Sequence, residues 1–182
     1  MSARETWEPT AYDRRMVALM NREGARSFHA TAGRRRGVVG AHVVLSVLGG
    51  SAPFVAEFTG RTWPLFVMLG LLLPWCLATG VLNSATRGLL ELRGRVLDER
   101  QLAERDRVLA RAHRVTTLVL LAAALGAVAV GGLDGGGLDG GGLGDVRIGA
   151  LLVPALAGAF LVHWLMPLWV AGLLLRDEPA DQ

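Results

Sequence analysis

The stretch RGLLELRGRVLDERQLAERDRVLARAHRV, residues 87–115, decides how this chain folds. It is the only long polar segment lying between apolar runs long enough to span a membrane, and two such runs flank it on each side. It is rich in good helix formers and has no proline. Asp98 followed by Gln101 has capping-box spacing, in which the carboxylate accepts an orphan N–H of the next turn. Gly94, four residues earlier, is placed to end a preceding helix in a left-handed cap. The pattern predicts a second apolar helix overrunning to about Gly94 or Leu97, a turn, and a new helix from Glu99 into the third apolar run. Glu91 with Arg95, Arg95 with Glu99, and Arg100 with Glu104 are spaced for ion pairs of about 0.2–0.5 kcal/mol each. Leu102, Leu109, Ala112 and Val115 mark a narrow apolar stripe. Two readings fit it: a helical hairpin packed on itself, or a docking surface for a protein partner. Nucleic acid is excluded, because five carboxylates interrupt the eight arginines and no aromatic side chain is present.

Outward from this connector the apolar residues form runs of about 20, the length a helix needs to cross a roughly 30 Å hydrocarbon core. The spans read as Gly37 to Phe58, Trp63 to Ala85, Thr116 to Leu133 and Ile148 to Leu175. The fold expected is an all-α integral membrane protein: four transmembrane helices, as two hairpins joined by a helical cytoplasmic connector. Its parts are a basic tail over 1–36, a first hairpin over 37–86, the connector over 87–115, a second hairpin over 116–175 with a glycine-rich outer loop at 131–147, and a short tail over 176–182.

Charge fixes the orientation. All nineteen basic residues are arginine, eight of them in residues 1–36 and eight in the connector. The two opposite loops carry one each. The positive-inside rule then places both termini and the connector in the cytoplasm of a multi-pass cell-membrane protein. Arg34, Arg35, Arg36, Arg107, Arg111 and Arg114 form the candidate face for anionic headgroups or for a protein partner. In the tail, Thr10 and Asp13 are placed to cap a short helix with Tyr12, Met16, Leu19 and Met20 on one face. That suits a helix lying on an anionic leaflet, and a disordered basic tail fits equally. Arg34-Arg35-Arg36-Gly37-Val38-Val39 superficially resembles a twin-arginine export signal. Pro53 directly after Gly50-Ser51-Ala52, and the further spans beyond, argue against cleavage there.

The repeat GGLDGGGLDGGGLGD at 131–145 reads as a flexible linker, since the spacing of Asp134, Asp139 and Asp145 matches no calcium loop. Cys76 is the single cysteine, inside an apolar run, so no disulfide forms within the chain.

Inside the spans no charged residue lies deep, and Glu57 is near an outer end. Proton-coupled transport usually needs such a group, so transport is disfavoured. Small residues recur at helix-packing spacing, as at Ser46 and Gly50, Cys76 and Gly80, and Ala122 and Gly126, which suits bundle packing or homo-oligomer contacts. Two histidines are intramembrane. His42 lies about five residues from the cytoplasmic end and His163 about twelve, a mismatch of roughly 10 Å that argues against a shared haem. Pro167 removes the hydrogen bond to the His163 carbonyl, which then needs a polar partner. His163, Pro167 and His42 are therefore the candidates for a polar intramembrane spot, with a tryptophan indole, Ser46, Thr79, or His163 itself through water as donors to that carbonyl. Pro74-Trp75 and Pro167-Leu168-Trp169, each in the second helix of its hairpin, suggest two parallel repeats.

Leu97-Asp98-Glu99-Arg100-Gln101 with Arg105-Asp106, leading into an apolar helix, and the tail from Pro167 to Glu178 resemble uncharacterised small multi-pass membrane proteins of actinobacteria. The resemblance covers about a third of the chain. It implies a four-helix membrane protein and brings no catalytic residues. No catalytic, metal-ligating or cofactor-binding constellation is legible. The function expected is a non-enzymatic accessory or scaffold protein, and the alternative is a small oligomeric transporter or channel for an uncharged solute.

Overall fold

A computed structural model describes residues 10–20, 30–86, 89–92, 94–133 and 148–174. The expected linker beyond Leu133, with its three aspartates, and the C-terminal tail lie outside them. Among the described residues the chain is all-helical: α1 (Ala11–Met20), α2 (Ala32–Thr59), α3 (Trp63–Ala85), α4 (Glu99–Leu133) and α5 (Ile148–Leu174), with a 3-10 turn at Gly94–Val96. Helices α2 to α5 are long and apolar enough to cross a membrane.

Local chemistry sets the boundaries. Thr10 and Asp13 cap α1 reciprocally: the Thr10 N–H donates to the Asp13 carboxylate at 3.0 Å, and the Asp13 N–H to the Thr10 hydroxyl at 3.2 Å. Thr31 caps α2 by accepting from the Arg34 N–H at 3.3 Å. Gly60 ends α2 at φ 64°, a left-handed conformation glycine adopts without a Cβ clash. Pro64 then opens α3, where a missing N–H costs nothing. The capping box before α4 is complete, with the Gln101 N–H donating to Asp98 Oδ1 at 2.7 Å and the Asp98 N–H to Gln101 Oε1 at 3.1 Å.

Four expectations about the connector need correction. Helix α3 stops at Ala85 and does not run on to Gly94. Thr86 ends it, its N–H donating to the Leu82 carbonyl and its hydroxyl to the Asn83 carbonyl. Beyond this point the chain turns so that Leu89, Leu92 and Leu97 are buried, which a solvated helical extension would not achieve. Arg105 fastens the turn by donating to the Leu92 carbonyl at 3.2 Å. Gly94 opens the 3-10 turn, and the left-handed glycine of the described residues is Gly60. The buried stripe of α4 is also rotated from the one expected: Val108, Ala112 and Thr116 are buried, whereas Leu109 and Val115 are exposed. Arg100 and Glu104 do not close an ion pair, consistent with how little such an exposed pair contributes. The Arg95 side chain lies outside the description.

Helix α2 packs mainly on α3, α4 on α5, and α5 also across α2. The core gathers at the end of the bundle nearest the connector. There Val39, Leu82, Leu89, Val108, Ala112 and the run Leu165, Met166, Leu168 to Ala171 form one cluster. Towards the opposite end α4 is exposed at every position from Thr117 to Ala129.

Candidate functional site: a closed polar cluster between three helices

Arg35, Val39, His42 and Ser46 are buried along α2 at spacings of four, three and four, so they form one stripe. His42 is fully buried, at 0 % exposure. Its ring sits between two indoles, 5.1 Å from Trp75 with a tilt of 33° and 6.1 Å from Trp169 edge-on at 70°. These tryptophans come from α3 and α5, so the imidazole is the point where three helices meet.

The hydrogen bonds determine the ring's proton. The Trp169 indole donates to His42 Nδ1 at 2.8 Å. An indole N–H can only donate, so Nδ1 is the bare acceptor and the neutral ring carries its proton on Nε2. Nε2 lies 2.8 Å from the Thr79 hydroxyl oxygen and donates to it. The Thr79 hydroxyl in turn donates to the Trp75 carbonyl at 2.9 Å. A second branch closes the circuit: the Trp75 indole donates to Ser46 Oγ at 2.9 Å, and the Ser46 hydroxyl donates to the His42 carbonyl at 2.8 Å. Every donor in the circuit has an acceptor, as a buried polar group in an apolar bundle requires.

Three of these bonds run between helices. Interhelical bonds in membranes average about 0.6 kcal/mol, so together they contribute roughly 2 kcal/mol. Their larger effect is on register, because a slip of either α3 or α5 along α2 breaks at least one bond. Small size completes the fit. A Cβ added to Gly172 would lie 2.8 Å from Val39 Cγ2 and 3.4 Å from Leu82 Cδ2, so α5 can approach α2 and α3 this closely only with glycine there.

The sequence candidates fall in different places. His42 is the centre of the cluster. Pro167 is half-buried on α5, two residues before Trp169, and the helix continues through it. His163 is exposed on the outside of α5 and takes no part. Of the donors considered for its carbonyl, the Trp75 and Trp169 indoles and the Ser46 and Thr79 hydroxyls bond within the His42 circuit, and the Trp164 indole does not. Both nitrogens of His42 are likewise committed, so its lone pair is not available to a haem iron or another metal. Among the described residues no three His, Cys, Asp or Glu side chains are grouped to hold a metal ion.

The arginine candidates separate in the same way. Arg34, Arg36, Arg107, Arg111 and Arg114 are exposed. Arg35 is buried, because it continues the stripe of Val39 and His42 inward, and it is not part of an outer face. On α4, Arg100, Arg107, Arg111 and Arg114 fall within about 60° of one another at 3.6 residues per turn. They lie on the side turned away from buried Val108, Ala112 and Thr116.

Comparisons place no relative beside this arrangement. No protein-family model, curated protein or solved structure matches the chain. The site must be read from its own geometry.

Sequence reasoning missed Trp75, Thr79 and Trp169 as the partners of His42, and Gly172 as the close contact. A usable signal was depth. His42 lies five residues inside Gly37, Thr79 six inside the end of α3, and Trp169 five inside the end of α5.

Proposed function

We propose that this chain is a non-enzymatic accessory or scaffold protein of a bacterial inner membrane. It is built as two transmembrane hairpins joined by a cytoplasmic connector, with both termini cytoplasmic, and it offers an arginine face to a protein partner. The observation that carries this reading is the contrast between its two polar regions. The His42 circuit in the interior uses all its donors and acceptors internally and holds α2, α3 and α5 together. The exposed one is a stripe of four arginines on a helix whose other side is fixed in the core. A guanidinium stripe on a rigid helix suits planar recognition of carboxylates or phosphates.

The test is affinity purification from native membranes with wild type and with Arg107, Arg111 and Arg114 all changed to glutamate. A defined partner should come with wild type and be lost from the triple variant, while yield and helix content stay equal. Retention of the same partner by the variant would overturn the reading.

A further inference from the structure

Among the described residues, the outer face of α5 carries two polar groups without hydrogen-bond partners: the exposed His163 ring and the Trp164 indole, which is 59 % exposed. Both lie near the middle of a membrane-length helix, flanked by exposed Leu156 and Phe160. Neither side chain is long enough to reach an interface about ten residues away. An imidazole at this depth facing lipid is costly, and such groups are ordinarily covered by another helix or by water.

We infer that this face is covered by a second copy of the chain, in a parallel two-fold pair formed by α5 against α5. The two groups are complementary in charge: the indole N–H is a positive-ended donor, and the imidazole offers a nitrogen lone pair. They are also adjacent in sequence, differing in depth by about 1.5 Å. A two-fold axis along the membrane normal brings only residues of equal depth together, and it makes every contact reciprocal. Trp164 of each copy then donates to His163 of the other, and two bonds close at once. The molecule already uses this pairing in its interior, where Trp169 donates to His42 at 2.8 Å. This surface is separate from the arginine stripe of α4, so the two proposals stand or fall independently.

The experiment uses the full chain in native membranes and in lipid bilayers. In a Cys76→Ala background, single cysteines are placed at exposed positions 156 and 160, on the same face of α5 as His163 and Trp164, and, as a control, at exposed position 73 on α3. Mild oxidation should give a disulfide-linked dimer at 156 or 160 and none at 73. In parallel, energy transfer between labelled copies is followed on lipid dilution. His163→Leu and Trp164→Phe should each raise the dimer dissociation constant roughly tenfold, since each removes both reciprocal bonds. The double variant should be no weaker than either single one, because all three lose the same pair of bonds. Monomer at every dilution, equal cross-linking at 73 and 160, cross-linking of position 160 to a different protein, or additive losses in the double variant would each overturn the inference.

Discussion

The two ends of the helix bundle are built on different principles. At the connector end, α2, α3 and α5 meet around His42, and Val108 and Ala112 of α4 and Leu89 of the connector join the same core. At the other end α2 and α3 are joined by the three-residue turn after Thr59, while α4 presents only exposed side chains from Thr117 to Ala129. Lipid is as apolar as leucine, so burying leucine between helices gains little in a bilayer. Shape and hydrogen bonds must hold the helices together, and both are concentrated at the connector end. The difference teaches that stability resides in the packed end, and that the open end is free to meet lipid or another copy.

Substitutions along the helices should grade accordingly. His42→Ala should have the largest effect, about 3–4 kcal/mol, because it removes a ring packed between two indoles and leaves the Trp169 N–H unsatisfied. Unfolding by steric trapping in bicelles measures it, and a loss below about 1 kcal/mol would mean the cluster does not hold the helices. Gly172→Ala comes next. The new methyl meets Val39 at a distance that must relax, so about 1–3 kcal/mol should be lost, and Val39→Ala in the same chain should recover part of it.

Asp98→Ala removes the carboxylate of the capping box and should cost roughly 0.5–2 kcal/mol. Amide exchange over residues 99–103 should quicken, and unchanged protection there would show that the start of α4 is held by something else. At the open end, Val128→Ala touches a side chain that is 73 % exposed and should change stability by less than about 0.5 kcal/mol. A loss comparable to that of Gly172→Ala would break the contrast between the two ends.

Much of this fold was legible because membrane spans need long apolar runs, and the start of α3 and both ends of α5 agree with those read from sequence to within a residue. The start of α4 was legible for a local reason, since a capping box is complete within four residues. The end of α3 was not, because it depends on Leu89 finding a core made by distant helices and on Leu92 and Leu97 becoming buried. The polar cluster was half legible. His42 stood out as a polar group in an apolar run, but its partners lie 37 and 127 residues away along the chain. Attention fell on His163 because Pro167 gave it a local rationale, whereas burial depends on which face of α5 turns inward. Helix α5 is apolar nearly all round, so its pattern does not mark that face.

The central claim is that the interior polar chemistry is closed and serves to hold three helices in register. Nitrogen-15 NMR of the labelled histidine ring in lipid bilayers tests it most directly. The account predicts a neutral His42 with its proton on Nε2 and a bare Nδ1 coupled through the hydrogen bond to the Trp169 indole. A proton on Nδ1, or a ring exchanging freely with water, would contradict it.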